Sequence, residues 1–137
     1  MKKYTLNKVD INNIKYFSIE IGLLPGYTKG TEHTLTDVID IYKNWLKYRL
    51  ENSLITIPIK ITLANFVYGF NSNKKNIIIN ENAVSINGEI IREYCPNIFN
   101  DNNKLFEIIV EIATIIGQKL EQERVHIIFN NQKYILK

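Results

Sequence analysis

Two histidines, one cysteine and three arginines set among aromatic residues are the groups in this chain with chemistry to offer. His33 and His126 stand in the runs His33-Thr34-Leu35 and His126-Ile127-Ile128. A paired-histidine phosphoesterase needs Ser or Thr two residues after each histidine, so that pattern fails. Neither histidine has carboxylates or cysteine at metal-ligand spacing. They read as a loop histidine and a strand histidine facing solvent or a partner. Cys95, in Glu93-Tyr94-Cys95-Pro96, has no base beside it in sequence and reads as an inert thiol. Gly22, Gly26 and Gly30 fit neither phosphate-loop pattern. Pro25–Gly30, with Tyr27 and Lys29, is a basic, aromatic loop able to lie over an anion. No catalytic residue, metal site or cofactor motif emerges.

The best local candidate for a ligand site is Arg92, Tyr94, Asn97 and Phe99, with Arg124 joining from elsewhere. Exposed aromatic rings beside arginine can sandwich a base by stacking and cation–π attraction. The guanidinium fork suits phosphate. The competing reading is a surface loop packed by its own aromatic residues.

The elements that position these groups follow from periodicity. Phe17, Ile19 and Ile21 alternate with Tyr16, Ser18 and Glu20, the period of a half-buried strand. Leu24-Pro25-Gly26 ends it in a turn. Thr34 followed by Asp37 predicts a capped helix running to about Asn52, with Val38, Ile41, Tyr42, Trp45 and Tyr48 inside. Ile55–Leu63 alternates most clearly of all, with Pro58 suggesting an edge or bulge. Asn71–Lys75 is a polar tip before Ile77–Ile79, and Asn87-Gly88 predicts a hairpin within Val84–Ile91. Asn100 or Asp101 caps a second helix. There Leu105, Ile109, Ile112 and Ile116 form one stripe, and Phe106, Val110 and Ala113 a second. An arc this wide suggests burial on more than one side and self-association through residues 103–123. Val125–Phe129 and Lys133–Leu136 form a terminal hairpin. Tyr4–Asn13 is an edge strand or a lead-in. The expected fold is α+β: a mostly antiparallel sheet with two helices on one face, ferredoxin-like or a variant of it.

The chain has 137 residues, 45% of them hydrophobic, which suits one domain, 1–137. Seventeen basic and 14 acidic residues give +3, too little to demand a nucleic-acid partner. A lone cysteine rules out an intrachain disulfide and fits a reducing cytoplasm. Met1-Lys2-Lys3 lacks a following apolar stretch, and no run reaches membrane-spanning length.

Three runs resemble a known family: Phe17–Gly22, Thr36–Tyr42 and Ile115–Val125, with the hairpin at Asn130–Leu136 behind them. Together they look like a phage Thoeris anti-defence sponge protein. The resemblance implies a small, non-catalytic, homo-oligomeric protein that sequesters a cyclic ADP-ribose-type nucleotide in the cytoplasm of the bacterial host. None of that family's ligand residues maps onto a position here. The alternatives are a ferredoxin-like nucleotide phosphoesterase and a ligand-free protein-interaction module.

Overall fold

A computed structural model describes residues 1–25 and 30–137. The Pro-Gly turn and the Tyr27 and Lys29 loop therefore lie outside the described residues. In chain order the elements are β1 (Ile14–Gly22), α1 (Leu35–Glu51), β2 (Lys60–Ser72), β3 (Lys75–Ile91), a single turn α2 (Pro96–Phe99), α3 (Asn102–Lys119), β4 (Val125–Phe129) and β5 (Gln132–Leu136). The sheet order is β2-β3-β1-β4-β5, with every pairing antiparallel. The expected α+β, ferredoxin-like arrangement is what forms, extended by β5 at one edge.

Register decides which face is dry. Ile19 opposes Ile86 on β3 and Ile127 on β4, and all three are fully buried. Phe17, Ile21, Val84, Ile90, Val125 and Phe129 join them beneath Val38, Tyr42 and Trp45 of α1 and the Leu105–Ile116 stripe of α3, in one continuous core. Both helices therefore cover the same face. The alternate residues Ser18, Glu20, Ser85, Asn87 and His126 point to the other, which no helix covers.

The cap of α1 forms as the sequence predicts. Thr34 Oγ1 accepts from the Asp37 N–H at 3.2 Å, and Asp37 accepts from the Thr34 N–H at 2.9 Å. That second bond holds the Asp37 carboxyl below its ordinary value. Its contribution is present above the ordinary carboxylate pKa and is lost as pH falls through the lowered folded value. Thr34→Ala should cost about 1 kcal/mol, read as a lower urea midpoint at unchanged slope.

Several expectations are corrected. The strand expected at Ile55–Leu63 starts at Lys60. Pro58 cannot donate to a ladder. The carbonyls of Ile55 and Ile57 are instead taken by Arg49 Nε at 2.8 Å and by the Tyr42 hydroxyl. The inner face of α1 continues at Arg49, not Tyr48. Arg49 is 6% exposed and pairs with Glu111 at 3.1 Å, while Tyr48 is exposed. Asn87-Gly88 is no hairpin, because β3 runs straight through it. The hairpin turns lie at Asn73-Lys74, within the expected polar tip, and at Asn130-Asn131, within the expected terminal hairpin, all four with positive φ, as tight primed turns require. Residues 4–10 form no strand. The second stripe of α3 finds its partners within the chain. Phe106 stacks on Phe129 with ring centres 6.0 Å apart and meets Tyr134 in a tilted contact at 4.7 Å, and Ala113 is fully buried. The wide arc thus supplies no reason for self-association.

Candidate functional site

The five residues expected to bind ligand do not converge. Arg92 follows the Ile91 end of β3, which opposes Ile14; Arg124 precedes the β4 residues that oppose Glu20. Those positions on β1 are roughly 20 Å apart at ordinary strand rise. Phe99 is 3% exposed, with Arg92 4.6 Å and Lys15 Nζ 4.4 Å from its ring centre. Two cations already occupy the surroundings of the ring, so it offers no face for stacking a base. Lys15 also donates to the Phe99 carbonyl and to Asn102. Burial and the nearby Arg92 push its pKa down. Tyr94 and Asn97 are exposed beside this cluster. Arg92 lines a separate cleft of about 240 Å³ with Lys8, Asp10 and Asn13, whose few polar groups are joined by no aromatic ring. Arg124 reaches a larger cleft that carries aromatic rings.

That cleft is built by a difference in strand length. β3 pairs with β1 only from Ala83 onward, but with β2 from Lys75. Residues 65–72 and 75–82 therefore project as a two-stranded arm. On a flat sheet β2 and β4 would stand roughly 14 Å apart. Yet Phe66 and Tyr68 of β2 line the same cleft as His126 of β4, so the arm curls across the uncovered face. Ala83, on that face, is fully buried beneath the curl.

The cleft has two lobes. One, of about 300 Å³, is lined by Gly22, Leu24, Asn82, Gln122, Glu123 and Arg124. The other, of about 500 Å³, is lined by Glu20, Asn65, Val67 and Lys133. Phe66, Tyr68, Glu81 and His126 belong to both and form the waist between them. At the waist the Tyr68 hydroxyl lies 3.2 Å from Glu81 Oε1. Ser85 Oγ donates to Glu20 at 2.8 Å, and Asn87 donates to Ser85 at 3.1 Å. Burial, then Lys133 and Arg124, lower the His126 pKa against the opposing pull of Glu20. Gln122 holds the rim by donating to the Leu24 carbonyl at 2.6 Å. The waist thus offers a carboxylate beside two aromatic rings, suited to a cation on a flat, partly apolar ligand.

Sequence reasoning missed most of this cleft. The signal was present in the alternation of Thr62, Ala64, Phe66, Tyr68 and Phe70, which puts three rings on one strand face. Glu81 enters only through its register opposite Phe66.

No family model and no curated protein matches the chain. Two solved structures do. A phage SAM lyase in complex with S-methyl-5'-thioadenosine superposes with a TM-score of 0.64 at 15% identity, over 97% of this chain and 96% of that one. A phage SAM lyase in the apo state superposes with a TM-score of 0.58, also at 15% identity, over 97% and 96%. The fold resembles that of a phage SAM lyase. This likeness corrects the expectation of a non-catalytic protein, because the solved proteins sharing the fold are named as lyases. Among the described residues no cluster of His, Cys, Asp and Glu could hold a metal, and no helix is long and apolar enough to cross a membrane.

Proposed function

We propose that the two-lobed cleft binds S-adenosylmethionine and breaks the bond between its sulfonium sulfur and the γ-carbon of its amino-acid chain, as a phage protein that depletes the host's methyl donor. The observation that carries this reading is the waist, where the Tyr68-bonded Glu81 carboxylate stands between two lobes of different chemistry. S-adenosylmethionine has the same layout: a nucleoside and an amino acid joined through one positive sulfur. The nucleoside suits the lobe with Gly22 and Leu24 as small and apolar surface, with Asn82 and Gln122 to meet base edges or ribose hydroxyls. Phe66 and Tyr68 provide stacking surface beside it.

Bond breaking moves the positive charge from sulfur toward the γ-carbon. The electron pair goes to sulfur and leaves S-methyl-5'-thioadenosine, which is neutral. The γ-carbon is satisfied from within the four-carbon fragment, by capture by its own carboxylate oxygen or by loss of its β-proton to the Glu81 carboxylate, so no water oxygen is added to it. Glu81 attracts the sulfonium and remains beside the γ-carbon as charge develops there.

Incubating the purified protein with S-adenosylmethionine and separating the products tests this. S-methyl-5'-thioadenosine should accumulate over many turnovers, and the γ-carbon of the four-carbon fragment should carry no oxygen from labelled water. Intact S-adenosylmethionine after hours with equimolar protein would sink the proposal. The same incubation with cyclic ADP-ribose isomers tests the ligand that the sequence resemblance implies; tight retention there, without turnover of S-adenosylmethionine, would favour sequestration.

A further inference from the structure

The larger lobe carries a charge pattern that the nucleoside half of such a ligand does not use. Glu20 and Lys133 both line it. They come from β1 and β5, the two neighbours of β4, and both act electrostatically on His126. Among the described residues no ion pair joins them to each other or to any third group. Opposite charges that share a lobe without neutralising one another present a dipole to whatever enters. Glu20 is also held in place. Ser85 donates to Oε1, Asn87 braces Ser85, and the second carboxylate oxygen is left to the lobe. A lone carboxylate would accept any cation and a lone lysine any anion. The pair selects a group carrying both charges a few ångströms apart.

We infer that the Glu20–Lys133 lobe is a subsite for a zwitterionic α-amino acid group, with Glu20 receiving the ammonium and Lys133 the carboxylate. The inference rests on the proposed function, because the waist must hold the sulfur that links this group to the nucleoside. It goes further in assigning the two ends of the ligand to named lobes and in naming Glu20 and Lys133 as specificity-determining residues. Ser85 and Asn87 are positioning residues that act through Glu20.

Two stable ligands separate this inference from the reading beneath it. S-methyl-5'-thioadenosine has the nucleoside and a neutral sulfur but no amino acid. S-adenosylhomocysteine has the same nucleoside and a neutral sulfur with the amino acid attached. Titration calorimetry should show S-adenosylhomocysteine binding the unmodified protein about tenfold or more tightly than S-methyl-5'-thioadenosine. Lys133→Ala and Glu20→Gln should each weaken S-adenosylhomocysteine about tenfold, the scale of one charge-assisted hydrogen bond, and leave S-methyl-5'-thioadenosine unchanged. Lys133→Arg, which keeps the charge, should recover most of the loss. Equal affinity of the unmodified protein for the two ligands overturns the subsite while leaving the nucleoside reading intact. So do variants that weaken both ligands alike or neither. Failure of S-methyl-5'-thioadenosine to bind at all overturns both.

Discussion

Glu81→Gln should slow C–S cleavage about 100-fold while S-methyl-5'-thioadenosine binds with little change. The asymmetry follows from charge. Glutamine keeps the shape of glutamate and can still meet the Tyr68 hydroxyl, 3.2 Å away in the native cleft. It removes only the negative charge, which matters to a sulfonium substrate and to a γ-carbon gaining positive character, not to a neutral thioether. Removing one fixed electrostatic partner of a transition state typically costs 10²–10³ in rate. Glu81 is exposed in the free protein, so solvent screening places the expectation at the low end, about 100-fold, with ligand closing over it. Single-turnover rates and product affinity are the two measurements required. If the affinity for S-methyl-5'-thioadenosine falls in step with the rate, Glu81 shapes the cleft instead of holding charge. Glu107→Gln, on the exposed face of α3, is the control and should leave both values unaltered.

The cleft was harder to read from sequence than the fold because it depends on curvature and register. Local signals worked where one segment contains both partners. Thr34 and Asp37 satisfy each other three residues apart, and Asn73-Lys74 and Asn130-Asn131 turn where polar residues interrupt alternation. The same kind of signal failed where a distant side chain takes over the backbone. Ile55 and Ile57 alternate like a strand, but Arg49 and Tyr42 capture their carbonyls. Phe99 lies in an irregular stretch and reads as exposed, yet it is buried beside Lys15 and Arg92. His126 and Glu20 lie more than a hundred residues apart and meet only because β4 pairs with β1. Arg124 was the one expected site residue to reach the cleft, where it follows Gln122 and Glu123 on the rim. The arm that closes the site exists because β3 outruns β1, a length difference that no local window contains.

Gly88→Ala should destabilise the protein by about 3 kcal/mol, the largest single-methyl effect expected in the sheet. Asn87-Gly88 is a strong hairpin signal in isolation, and its use here is different. Gly88 opposes Phe17 in mid-strand, and the Phe17 ring lies across it. A Cβ at Gly88 would sit 1.9 Å from Phe17 Cε1 and 2.3 Å from Cζ. Contacts that close require the ring to move, and Phe17 is only 4% exposed within the core. Alanine would recover up to about 1 kcal/mol of the backbone cost of a strand glycine. Overpacking costs about 1–3 kcal/mol and more when the neighbour is confined, so the clash decides the sign. Denaturation midpoints of Gly88→Ala, Phe17→Leu and the double variant check the cause. Leucine lacks the Cε1 and Cζ atoms that the new methyl meets. The double variant should therefore be more stable than the sum of the two losses by about 1–2 kcal/mol. Strict additivity would show that the strain lies in the β3 backbone and not against the ring. In that case Gly88 would be required for the path of the strand, and Gly88→Ala would remain destabilising whatever stands at position 17.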